Sequence, residues 1–210
     1  MKDSNGQTPL SWAACYGREA VVKLLLNTRT VDIDSRDFHA RTPLCWAVEN
    51  GHESIVRLLL ETGRADADSK DIDGRMPLWW ATVSQHDTVV RLLLAAGNVD
   101  ANLKNSSGET PLLWAVRNRQ EVIVNLLLDI GKVNVDSEDS DGRTPLSWAV
   151  ANRDEAIVKL LCDTGKVDIR LKDYIGRTPL SRAVTSRHEA IVKLLLSTEK
   201  SLSVLGKIRS

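Results

Sequence analysis

Three histidines, His52, His86 and His188, share one column of a 34-residue period. A histidine metal site needs further His, Cys or carboxylate ligands at short spacing. These stand one or more whole periods apart, so they read as histidines at the start of a helix. Asp66, Asp68, Asp71 and Asp73 precede Gly74, and Asp136, Asp139 and Asp141 precede Gly142. Carboxylates so grouped could hold calcium. The D-x-D-x-D-G spacing is not met, however, and no Glu closes a calcium loop. Asp also favours turns in its own right. Cys15 and Cys45 have no neighbouring His to hold a thiolate, so both read as small buried or half-buried thiols. No G-x-x-x-x-G-K-[ST], G-x-G-x-x-G or G-x-S-x-G occurs. The expectation is no enzyme, no cofactor and no metal.

Composition narrows the partners. Twenty-eight basic residues balance 28 acidic ones, which argues against nucleic acid as ligand. Arg41, Arg75, Arg143 and Arg177 do share a column. Glu109 interrupts it, and Asp73 and Asp141 lie two residues before, so the column reads as a solvated turn edge. No apolar run reaches the length of a membrane span, and Met1–Gly6 has no apolar signal region. Three cysteines without C-x-x-C spacing fit a reducing compartment, the cytoplasm or nucleus.

The 34-residue period itself demands an architecture. Thr-Pro-Leu recurs at Thr8, Thr42, Thr110, Thr144 and Thr178, with Met76-Pro77-Leu78 in the gap. Trp12, Trp46, Trp80, Trp114 and Trp148 keep the same period, and Arg182 fills their column in the last repeat. Six repeats result: 3–36, 37–70, 71–104, 105–138, 139–172 and 173–206, read as one domain with a 207–210 tail. In the fifth, Asp141-Gly142 suits a tight turn. Thr144 caps a helix with Pro145 at its first position, predicted from Pro145 to Ala151 or Asn152. A second helix is predicted from Glu155 to Asp163, with Ile157, Val158, Leu160 and Leu161 on one face and Gly165 as its stop. Two short helices cannot close a core alone, so the repeats must stack.

These motifs resemble the ankyrin repeat family across essentially the whole chain. The 34-residue repeat reading Gly142-Arg143-Thr144-Pro145-Leu146-Ser147-Trp148-Ala149 resembles the variant found in fungal arrays, many of them C-terminal sensors of NOD-like receptors with a nucleotide-binding domain upstream. The resemblance implies an all-α solenoid of six helix–turn–helix repeats with short turn or hairpin projections. It further implies a partner-facing surface on the turn tips and first helices. The chain departs from the family where Ser11, Cys45, Trp79, Leu113, Ser147 and Ser181 replace the usual His. The inter-helix glycine survives as Gly17 and Gly51 but becomes Gln85, Arg119, Arg153 and Arg187. Ala40 replaces a turn glycine and Met76 a Thr cap, which predicts weaker second and third repeats. After Leu196 no glycine stop follows, which reads either as a makeshift cap, with Leu202, Val204, Leu205 and Ile208 able to fold back as a partial cover, or as a fragment of a longer array.

Comparison among the repeats locates the expected interface. The column Val22, Val56, Val90, Val124, Val158 and Val192 is invariant, as packing requires. Two tip columns vary, including Phe38-His39, Ile72-Asp73 and Tyr174-Ile175, and so do the ends of the first helices, including Glu49-Asn50, Val83 and Arg117-Asn118. Apolar residues at exposed tips are common interface anchors. Arg41 and Arg75 flank these tips. Trp46, Trp80 and Trp114 are read as fillers between helices, or as a stripe with one ring edge bordering the interface. The expected partner is a protein bound by a monomer, with no nucleic acid and no membrane.

Overall fold

A computed structural model describes residues 2–28 and 30–208, with side chains as far as Glu199. It is all-α. Each repeat contributes a seven-residue first helix and a second helix of nine residues, except in the last repeat: α1 Pro9–Cys15, α2 Glu19–Asn27, α3 Pro43–Glu49, α4 Glu53–Glu61, α5 Pro77–Val83, α6 Asp87–Ala95, α7 Pro111–Arg117, α8 Glu121–Asp129, α9 Pro145–Ala151, α10 Glu155–Asp163, α11 Pro179–Thr185 and α12 Glu189–Ile208. Two compact units divide the chain, residues 1–106 and 107–210. In the first, α1, α3 and α5 pack in succession, as do α2, α4 and α6. In the second, α7, α9 and α11 form one row and α8, α10 and α12 the other.

The starts of the first helices follow from their chemistry. Thr8, Thr42, Thr110, Thr144 and Thr178 each accept the backbone N–H three residues on, and proline occupies the first turn, where no N–H is missed. Met76 makes no such cap. Thr42, Thr110 and Thr144 are buried, and Thr42 and Thr110 also hydrogen-bond the hydroxyls of Ser69 and Ser137, at 3.2 and 3.1 Å. In the third repeat the same two positions hold Met76, fully buried, and Leu103. Both partners of a hydrogen bond are thus replaced by apolar groups, a change that leaves no hydroxyl unsatisfied. The weakness expected there is therefore offset by burial.

Small and β-branched residues form the core where helices meet. Ala13, Ala47, Ala81, Ala115, Ala149 and Ala183 are buried in every first helix, and the valine column is buried from Val22 to Val158. Glycines stop the second helices in left-handed conformation at Gly63, Gly97, Gly131 and Gly165. The last repeat has none, and α12 runs on to Ile208 as one helix. The expected fold-back is thus not seen in the backbone; the side chains of Leu202, Val204, Leu205 and Ile208 lie outside the described residues.

Among the described residues, five other than glycine hold positive φ, Ala40, Gln85, Arg119, Arg153 and Arg187, at 55–58°. Each costs on the order of 1 kcal/mol relative to glycine. The two surviving inter-helix glycines have an added reason. A Cβ at Gly17 would lie 2.8 Å from the His52 ring, and one at Gly51 would lie 2.7 Å from that of His86. Those rings seat on the preceding repeat, with Nε2 3.0 Å from the Cys15 carbonyl oxygen and 3.1 Å from that of Glu49.

A candidate partner-binding face

The turn tips are built on a carboxylate. Asp37 Oδ1 accepts the N–H groups of His39 and Arg41, and Asp71, Asp139 and Asp173 repeat the arrangement. Successive tips are joined by single backbone bonds, Phe38 N–H to Asn5 O, Ile72 to His39, Ser106 to Asp73 and Tyr174 to Asp141. Of the turn or hairpin projections expected, the structure shows tight turns, with no strand among the described residues. The second oxygen of the same carboxylate reaches nine residues forward. Asp37, Asp71 and Asp139 accept the indole N–H of Trp46, Trp80 and Trp148 at 2.9, 3.1 and 2.8 Å. Arg182 takes over that donor role in the last repeat, with Nη2 2.9 Å from Asp173 Oδ2. Burial raises the Asp173 pKa, but donors from Arg177, Arg182 and Ile175 outweigh it and hold the carboxyl at about 2.

Guanidinium groups lie over the indoles. Arg41 Cζ is 4.7 Å from the Trp46 ring and 4.4 Å from that of Trp80. Arg75 stands 5.1 Å from Trp80 and 5.3 Å from Trp79. Arg117 is 4.8 Å from Trp114 and 5.8 Å from Trp148, and Arg143 is 4.8 Å from Trp148. These are cation–π distances. Carboxylates hold the cations in turn: Arg41 with Glu49 at 2.7 Å, Arg75 with Asp73 at 2.9 Å, Arg117 with Glu109, and Arg143 with Asp141 at 3.4 Å.

This ladder corrects two expectations. Arg41, Arg75 and Arg143 are not part of a solvated edge but half-buried against rings, whereas Arg177 is exposed as expected. Nor do all helix ends vary without constraint, since Glu49 and Arg117 each pair with a turn residue eight positions back. The tryptophans are graded rather than uniformly packed. Trp80 is 9% exposed and packed rather than presented, Trp46, Trp114 and Trp148 are half-buried, and Trp12 is 48% exposed. The Asp that grips Trp46, Trp80 and Trp148 was not among the expected residues. Its signal was present as Asp and Trp nine residues apart in the second, third and fifth repeats.

The remaining expected positions do face outward. Phe38, His39, Ile72, Asp73, Tyr174 and Ile175 are exposed. The ring of Phe38 rests on Gly6 and that of Tyr174 on Gly142, where an added Cβ would lie 2.8 and 2.6 Å away. Each ring is thereby seated while most of it stays bare. Asn50 and Asn118 are exposed but tied back to the carbonyls of Trp46 and Trp114 at 2.9 Å, and Val83 is half-buried.

The aspartate clusters serve the stack. Asp34, Asp68 and Asp136 accept the backbone N–H of Asp66, Asp100 and Asp168 in the next repeat. Burial pushes all three carboxyls above the usual range. No group of three or more His, Cys, Asp or Glu among the described residues could hold a metal ion. Desolvation likewise raises the thiols of Cys15, Cys45 and Cys162, which disfavours the nucleophilic thiolate.

A family model of ankyrin repeats in three copies matches residues 1–71, 63–139 and 123–204. The chain belongs to the ankyrin repeat family. The structure is similar to the ankyrin repeat domain of Bcl-3, a member of the IκB protein family, with a TM-score of 0.83 and 30% identity over 93% of this chain and 87% of that one. It is equally similar to an ankyrin repeat domain from Acinetobacter baumannii AYE, with a TM-score of 0.83 and 30% identity over 91% of this chain and 97% of that one. No curated protein matches the chain. The ankyrin fold is typically a non-catalytic interaction scaffold. No helix among the described residues is long and apolar enough to cross a membrane.

Proposed function

We propose that this ankyrin chain is a non-catalytic module that binds a partner protein, as a monomer, through its turn tips and the adjoining ends of its first helices. Ankyrin repeat domains generally mediate protein–protein interaction. The observation that carries the proposal is a set of large apolar side chains left bare on turns that are tied by backbone N–H bonds to Asp37, Asp71 and Asp173. Phe38 is 72% exposed and Tyr174 76%, with Ile72 and Ile175 beside them. Preformed turns lower the ordering cost of binding, and exposed aromatics on them serve as anchors. The half-buried ladder beneath, Arg41 to Trp80 and Arg117 to Trp148, fixes the tips rather than supplying most of the contact. Three free thiols support a reducing compartment, cytoplasm or nucleus, as its setting. The test is binding to a partner captured with the intact chain. Phe38→Ala and Tyr174→Ala should leave thermal unfolding nearly unchanged and weaken binding by about 1–3 kcal/mol where either is a hot spot. Unchanged binding with both rings removed would place the interface elsewhere.

A further inference from the structure

We propose that the cleft between α4 and α6 takes a lysine side chain presented by a partner protein. The chain supplies its own template at the corresponding cleft between α8 and α10. There Lys166 reaches back one repeat, and its Nζ donates to the Gly131 carbonyl oxygen 2.7 Å away. The cavity that Lys166 lines, with Leu128, Gly131 and Thr164, has a volume of about 120 Å³. Arg64, in the same column, likewise reaches back to a carbonyl oxygen, that of Val31 at 3.1 Å. In the third repeat the column holds Asn98, which is exposed and whose side chain makes no hydrogen bond among the described residues. The counterpart of Gly131 is Gly63. A Cβ on Gly63 would meet nothing within 4 Å, whereas one on Gly131 would lie 4.0 Å from Lys166 Nζ. The place that Lys166 fills between α8 and α10 is thus open between α4 and α6.

The open cleft has a volume of about 480 Å³ and offers both parts of what a lysine needs. Leu60, Leu92, Ala95 and Ala96 line it and suit the aliphatic stem. Ala95 and Ala96 stand where the fifth repeat has Asp163 and Thr164, and the smaller side chains leave more room. The polar lining suits the ammonium. α4 ends here, so its last carbonyl groups carry the negative end of the helix dipole. Among the described residues no donor reaches the carbonyl oxygen of Gly63, and the carboxylate of Glu61 is in no ion pair. Glu61 stands at the place of Asp129 in the filled cleft. Arg57, the cation in the lining, lies a full helical turn nearer the start of α4, where the filled cleft has Asn125. A single carbonyl acceptor matches an ammonium, whereas a guanidinium forks to paired acceptors. No tip residue lines this cleft, so loss of tip binding and loss of lysine binding are independent outcomes.

The test uses the intact ¹⁵N-labelled chain and N-acetyl-lysine amide as probe. The side-chain amide resonances of Asn98 are assigned by their loss in Asn98→Lys. In the parent chain they and the backbone N–H of Gly63 should shift saturably in the millimolar range. N-acetyl-norleucine amide has the same stem without the ammonium and should bind about fivefold more weakly, the scale of one half-exposed hydrogen bond. Asn98→Lys writes the fifth repeat's Lys166 into the third and should abolish the response at Gly63, because the chain then fills its own cleft. Circular dichroism should stay unchanged, since Lys132 and Lys166 already occupy this column. Unmoved Asn98 and Gly63 resonances, an equal response to norleucine, or full binding by Asn98→Lys would overturn the proposal. A stronger response to N-acetyl-arginine amide would overturn the choice of lysine.

Discussion

The second and fourth repeats place a guanidinium over two indoles from opposite positions in the chain. In the second, the turn supplies Arg41 and the end of the first helix supplies Glu49. In the fourth, the turn supplies Glu109 and the helix end supplies Arg117. Spacing and outcome are the same, a half-buried ion pair with its cation over Trp46 and Trp80 in one case and over Trp114 and Trp148 in the other. The third and fifth repeats solve the problem a third way, with Asp73 and Asp141 two residues before Arg75 and Arg143. What is constrained is the pair, not either residue. Variation down a single column is therefore poor grounds for calling a position free.

If the ladder holds neighbouring repeats together, removing its most enclosed ring should have the largest effect. Trp80→Ala deletes a buried indole, its bond to Asp71 and the seat of two guanidiniums, and should cost about 3–5 kcal/mol in urea unfolding. Trp12→Ala at the same position of the first repeat should cost about 1 kcal/mol or less, since that ring is half exposed and meets no cation among the described residues. Equal losses would remove the grading on which the comparison rests.

A second exchange of paired residues sharpens the same point. Thr42→Met should cost about 1–3 kcal/mol, because the helix loses its cap and the buried hydroxyl of Ser69 loses its partner at 3.2 Å, keeping only the weaker contact with Cys45 Sγ at 3.8 Å. Adding Ser69→Leu should recover part of that loss, since it writes the third repeat's Met76 and Leu103 into the second. A double variant no more stable than the single one would show that the two positions are not coupled.

The smallest effect concerns the backbone. Arg153→Gly should stabilise by up to about 1 kcal/mol by relieving a φ of 57°. Gly51→Ala should destabilise, because its Cβ would meet the His86 ring as well as the same strain. Differential scanning calorimetry on both variants reads the two signs.

Much of this was legible beforehand, for physical reasons that are particular to each element. Proline at the first turn and glycine after the second helix are local rules, so Pro145–Ala151 and Glu155–Asp163 came out where the period placed them. α12 runs past Leu196 where no glycine follows, but α2 stops at Asn27 with no glycine either, so the length of α12 depends on what no local rule states. Trp12 and Trp80 occupy the same column, yet their burial differs because it is set by neighbouring repeats. The acids within and beside the arginine column, Glu109, Asp73 and Asp141, suggested that it was solvated. Stacking depends on where an indole lies in space, which the column alone does not convey. The bare tips, in contrast, were readable because an apolar side chain amid turn chemistry has no local packing to explain it.

The most direct measurement is a double-mutant cycle on Arg41 and Glu49, read by urea unfolding. Arg41→Glu sets two carboxylates together, and Glu49→Arg sets two guanidiniums together, in side chains only 18% and 27% exposed. Each should cost about 1–3 kcal/mol. The double variant reproduces the order of Glu109 and Arg117 and should return to within about 1 kcal/mol of the parent. Losses that simply add, leaving the double variant the least stable of the four proteins, would contradict the claim that a paired guanidinium over the indoles, rather than either residue alone, couples the repeats.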